Sequence, residues 1–209
     1  MKRLASFDGT EIAYDARGHG ESGKPHDPDA YAPDAMPRDA QALLDHLGVD
    51  EVDIVGYSMG ALVATRLVPV EPRTRSVVFG GVGASLVEGR GVTTRRELAE
   101  GLLADEPRSV TNPLARAFRR FADRMGADRF ALAGIQQAPR AKRPDLTKIT
   151  VPALVLVGDG DTIAKNPQEL AAALPRATAR IVSGDHLDAM YDALFSAHIV
   201  QFLSGVPQL

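Results

Sequence analysis

Val52-Asp53-Ile54-Val55-Gly56-Tyr57-Ser58-Met59-Gly60 decides how this chain is read. Val52 to Gly56 is a short run rich in β-branched residues, the pattern of a buried strand. Ala61 to Val68 is apolar without interruption, as a buried helix is, and Pro69 and Pro72 end it. Ser58 stands where the strand turns into the helix. Gly56 and Gly60, two residues before and two after, keep side chains out of a turn that tight. The serine oxygen then projects from the C-terminal edge of a sheet, beside a helix N-terminus. The backbone N–H of Met59 points to the same place and is a natural donor to an oxyanion.

Working outward, strand and helix patterns alternate on both sides of this turn. Lys2 to Phe7 reads as a strand closed by Asp8-Gly9, with a second short strand, Glu11 to Tyr14, at hairpin distance. Residues Ala16 to Pro33 are rich in Gly, Pro and Asp and read as loop. Asp34 to Leu47 keeps helical spacing and stops at Gly48. Ser76 to Phe79 is another buried strand. Between residues 88 and 146 strands cease. Arginine-rich amphipathic helices, Thr93–Ala104, Pro113–Met125 and Ala127–Ala138, predict an inserted helical cap whose arginine faces are solvated. Alternation resumes with a strand at Pro152–Val157, a helix at Pro167–Leu174, a strand at Ala179–Val182 and a closing helix at Asp188–Leu203. The expected class is α/β, a mostly parallel sheet with helices on both faces. Its core is formed by residues 1–87 and 147–209.

Composition narrows the function classes. The 209 residues suit one domain, and 44% hydrophobic with 24% charged residues is ordinary for a soluble protein. The net charge of −3 is small and mixed in sign, so nothing points to a nucleic-acid partner. The absence of cysteine removes disulfides, thiolate metal sites and thiol nucleophiles. No apolar run approaches the roughly 20 residues of a membrane span, and the N-terminus lacks a signal-peptide pattern, so a cytoplasmic location is expected. Gly80-Gly81-Val82-Gly83 lacks the Lys and Ser/Thr of a phosphate loop.

A serine hydroxyl needs a base, and the base needs an orienting acid. Of the five histidines, His19, His26 and His46 precede Ser58 and His198 lies inside the last helix pattern. His186 alone follows a short strand in a loop, Ser183-Gly184-Asp185-His186. The acid should sit just past another strand end. Val157-Gly158-Asp159-Gly160-Asp161 offers two carboxylates: Asp161 is preferred and Asp159 is the fallback. The Asp-Gly-Asp spacing is half a calcium loop, but no Glu stands at the twelfth position, so no metal and no cofactor are expected. Asp185 reads as a capping or solvated residue. Tyr57 reads as packing.

The order Ser58, Asp161, His186 is similar to the chain order of the α/β-hydrolase family. Asp15-Ala16-Arg17-Gly18-His19-Gly20-Glu21-Ser22 resembles the DxRGxGxS loop of its serine-esterase and peroxidase-like members. Gly158-Asp159-Gly160-Asp161 resembles their acid turn, and Gly184-Asp185-His186 their histidine loop. The resemblance covers nearly the whole chain. It implies acyl hydrolysis of a small carboxylic ester or related acyl compound, through an acyl-enzyme on Ser58.

One departure from that family matters. Its members place a strand, a His-Gly oxyanion loop and a helix between the N-terminal hairpin and the strand leading into DxRGxGxS. Here Glu11-Ile12-Ala13-Tyr14 runs straight into Asp15-Ala16-Arg17-Gly18, so a unit on the order of 30 residues is missing. An empty slot beside Val52–Val55 would leave backbone groups unpaired, at about 1–3 kcal/mol each. The expectation is that Ile12–Asp15 fills the slot and that an N–H of Ala16–Gly20 supplies the second oxyanion donor. The same gap keeps two other readings open: an impaired homologue acting as a binding protein, and a perhydrolase-type activity with the same three residues. An incomplete sheet would also expose an edge to a second copy of the chain.

Overall fold

A computed structural model describes residues 9–88, 95–140 and 142–206. The strand expected at Lys2–Phe7 lies outside them. The chain separates into two compact units, one of residues 1–12, 40–90 and 143–209, the other of residues 13–39 and 91–142.

In chain order the elements are α1 (Ala35–His46), β1 (Val52–Tyr57), α2 (Met59–Leu67), β2 (Thr74–Gly80), α3 (Ser85–Glu88), α4 (Arg95–Leu103), α5 (Pro113–Arg124), α6 (Arg129–Gln137), β3 (Ala153–Gly158), α7 (Pro167–Ala173), β4 (Ala177–Val182) and α8 (Ala193–Ser204).

The first unit holds a sheet in the order β1-β2-β3-β4, with every described pair parallel. Side chains alternate faces along a strand, and the sequence uses that alternation to build two cores. Val77, Phe79, Val155 and Val157 pack with Ala61 and Ala64 of α2 and Leu170 of α7. Val78, Leu154, Leu156 and Val182 point the other way, against Phe195, Ile199 and Leu203 of α8. Helices therefore cover both faces, as an apolar parallel sheet requires. No described helix is long and apolar enough to cross a membrane.

Two expectations fail here. Ile12–Asp15 forms no strand, and among the described residues β1 remains an edge of the sheet. Ile12 and Tyr14 are about half exposed, so less apolar burial offsets the entropy of ordering them than in a core strand. Asp15 instead closes the following loop: its carbonyl accepts from Ser22 Oγ at 2.6 Å and its carboxylate from Glu21 N at 2.9 Å. The closing helix also starts later than expected. Ala189–Tyr191 is a single 3-10 turn. Asp192, in extended conformation, then caps α8 by accepting from Leu194 N at 2.7 Å.

The second unit is helical. Asn112 and Asp128 cap α5 and α6 through their side chains, and α4 packs on both of those helices. Arg17 does what a loop-holding arginine does. It donates to Asp39 through Nε at 2.6 Å and Nη2 at 2.5 Å, and to the Ala30 carbonyl through Nη1 at 2.5 Å.

Candidate active site

All three expected residues lie in the first unit, each just past a strand. β1 ends at Tyr57 and α2 begins at Met59, so the chain reverses at one residue. Ser58 takes φ 50° and ψ −110°, a region costly for a residue with a Cβ. Its N–H donates to the Gly80 carbonyl at 2.8 Å and fastens the turn to β2. Gly56 is indispensable: a Cβ there would stand 2.4 Å from the Gly60 carbonyl oxygen. Gly60 differs from expectation, because a Cβ there would meet nothing within 4 Å. The crowding runs from Gly56 toward the Gly60 backbone, so only the first glycine must lack a side chain.

β3 leads into the turn Gly158–Asp161 and β4 into the loop of His186. His186 Nδ1–H donates to Asp161 Oδ2 at 2.7 Å. A carboxylate only accepts, so this bond places the ring proton on Nδ1. Nε2 is left to accept from Ser58 Oγ–H, at 2.9 Å. Both side chains of the His–Asp pair are buried. Burial by itself opposes the charge on Asp161. The hydrogen bonds from His186 and from the N–H groups of Ala164 and Ile163 outweigh it, and hold this carboxyl below the usual carboxylate range.

Asp159 is not part of this chain of bonds; its carboxylate accepts from Gly184 N at 3.0 Å. Asp185 caps the next turn, accepting from Leu187 N at 2.8 Å and Asp188 N at 2.9 Å. The Met59 N–H opens α2, and the first N–H groups of a helix have no acceptor inside it. In the segment Ala16–Gly20, which belongs to the second unit, the N–H groups of Gly18 and His19 are bonded within their own loop.

Tyr57 does more than pack. Its hydroxyl donates to the His186 carbonyl at 2.6 Å, and its ring lies 5.5 Å from the imidazole and 5.7 Å from Phe195. Gly80 and Gly81 make room for that ring, since a Cβ at either would come within 2.7 Å of it. Burial pushes the Tyr57 hydroxyl well above its ordinary pKa, and the nearby Asp161 and Asp185 add to this. The sequence signal was present: a tyrosine beside the serine, with a glycine pair ending the neighbouring strand.

A strand–turn–helix serine hydrogen-bonded to a buried histidine–aspartate pair, on a parallel sheet, defines a class. The alpha/beta hydrolase fold model matches residues 10–114, half of the chain, and the protein belongs to that family. It is similar to 3-oxoadipate enol-lactonase 2 of Acinetobacter baylyi, with 27% identity over 214 residues that cover 91% of this chain and 76% of the relative. Among solved structures it resembles a hydrolase from Pseudomonas aeruginosa, with TM-score 0.71, 26% identity, and coverage of 92% of this chain and 78% of the other. It also resembles the enol-lactonase from Burkholderia xenovorans, with TM-score 0.65, 25% identity, and coverage of 91% and 79%.

Proposed function

We propose that this protein is a serine hydrolase of small carboxylic esters, with lactones, which are cyclic esters, among its substrates. The observation that carries the reading is the bond chain Asp161–His186–Ser58, at 2.7 and 2.9 Å. In this reading Ser58 Oγ attacks the acyl carbon as its proton passes to His186 Nε2. The tetrahedral oxyanion forms beside the Met59 N–H. The C–O bond to the leaving alkoxide breaks, and that oxygen takes the proton from His186. Water then loses a proton to Nε2 and attacks the acyl-serine; the C–O bond to Ser58 breaks, Oγ takes that proton back from Nε2, and the carboxylic acid leaves. From a lactone the alcohol and the acid leave as one opened chain. Asp161 stays ionised throughout and stabilises the imidazolium. The similarity to two enol-lactonases supports the choice of lactones.

The test is hydrolysis of p-nitrophenyl acetate and butyrate and of simple lactones by the parent and by Ser58→Ala, with mass detection of a fluorophosphonate adduct on Ser58. The expected result is turnover reduced at least about 10³-fold in the variant, with the adduct on the parent alone. Equal rates in the two proteins would remove the enzyme reading. An adduct without turnover on any ester or lactone would favour the binding-protein alternative.

A further inference from the structure

In the second unit, α4 and the end of α6 line a half-open pocket of about 380 Å³. Arg95, the first residue of α4, and Arg140, just past α6, both line it, with Gln136 and Gln137 beside them. Arg17, Arg73 and Arg75 meet carboxylates, those of Asp39, Glu71 and Asp53. Arg116 and Arg129 donate to backbone carbonyls instead, and so does Arg95. Its guanidinium donates to the Ile135 carbonyl, and the charge that bears on it is a second cation, Arg140. Burial, and then Arg140, lower the pKa of Arg95 from its ordinary value. Both arginines line one space, and the partly buried Arg95 is held beside a second cation at an electrostatic cost that an anion there would reduce.

We propose that this pocket is a binding site for a small organic carboxylate, with Arg95 and Arg140 as its cation pair. The planar guanidinium fork matches a carboxylate through two parallel hydrogen bonds. The side-chain amides of Gln136 and Gln137 add neutral donors. Ala99 and Leu103 give the pocket an apolar wall, which suits a carbon chain better than an inorganic ion. That wall favours an organic carboxylate over phosphate, and Glu100, tied to Arg96 at 2.7 Å, lines the same space. The volume falls in the ordinary range for small-molecule sites, about 300–1,000 Å³. This site does not depend on the chemistry at Ser58.

The test is calorimetric titration of the full chain with butanoate and hexanoate, with inorganic phosphate as the competing anion. The expected result is saturable binding near about 1 mM, tighter for hexanoate, and weaker for phosphate. Arg95→Gln and Arg140→Gln should each weaken it about tenfold or more. Arg95 also holds a helix-end carbonyl, so its variant is exposed to loss of structure. Arg140 is exposed, and its variant should keep the parent melting temperature while losing the acid. No saturable heat up to about 20 mM, binding that survives Arg140→Gln, or phosphate binding tighter than hexanoate would each overturn the proposal.

Discussion

β1, which leads into Ser58, is only partly buried along most of its length, whereas β3, which leads into the Asp161 turn, is buried at all six positions. Val55 is 45% exposed, while Val155 and Leu156 are 0% exposed. The difference follows from position: β3 lies between β2 and β4, and β1 is flanked by β2 alone among the described residues. The two ends of the Ser–His–Asp chain are therefore fixed by different forces. Asp161 is set by the sheet core and by two backbone N–H groups. Ser58 is set by the crowding at Gly56 within its own turn and by its N–H on the Gly80 carbonyl of β2, while the Tyr57 hydroxyl ties the same strand end to His186.

Breaking the acid side should have the largest effect. Asp161→Asn keeps the shape but removes the charge that fixes the His186 tautomer. Ester turnover should fall about 10⁴-fold, measured at saturating substrate. The same variant tests stability against pH. Asp161 titrates lower in the folded chain than its unfolded value near about 3.9. Its contribution is thus present above that value and is lost as pH falls through the folded one. Urea midpoints between neutral pH and about pH 3 should fall less steeply in Asp161→Asn than in the parent.

The serine side should break next, and asymmetrically. Gly56→Ala pushes a methyl into backbone and should cost more than about 4 kcal/mol, or prevent folding. Gly60→Ala, within α2 and facing open space, should be neutral or stabilise by up to about 1 kcal/mol. Equal losses from the two would mean that the elbow crowds both glycines alike. Comparing the strands directly sharpens the contrast. Leu156→Ala should cost about 2–5 kcal/mol in chemical unfolding, and Val55→Ala less than about 0.5 kcal/mol. A large loss from Val55→Ala would show that β1 is covered as β3 is. The smallest effect is expected from Tyr57→Phe: about 1 kcal/mol of stability, with turnover lowered several-fold and KM little changed.

Much of this was legible in local sequence. β-branched residues before Ser58 and small apolar ones after it specify strand, turn and helix with short-range information. Elimination among the histidines left His186, because the others lay before the turn or inside a helix pattern. What stayed open needed distances between remote residues. Asp159 and Asp161 are alike by spacing, and the directions of their side chains in one turn separate them. Arg95 reads as a solvated helix residue until α6 and Arg140 are packed beside it. Ile12–Asp15 looked able to fill the place beside β1, yet Asp15 is drawn into the loop that follows.

The sequence by itself determined the elements, the reversal at Ser58 and the parallel α/β class, because strand and helix periodicity and glycine sterics act over a few residues. Tertiary structure alone decided which carboxylate meets His186, and that β1 lies at an edge among the described residues. Those outcomes depend on hydrogen bonds and burial between residues apart in the chain, 25 positions for Asp161 and His186, and no local pattern encodes them.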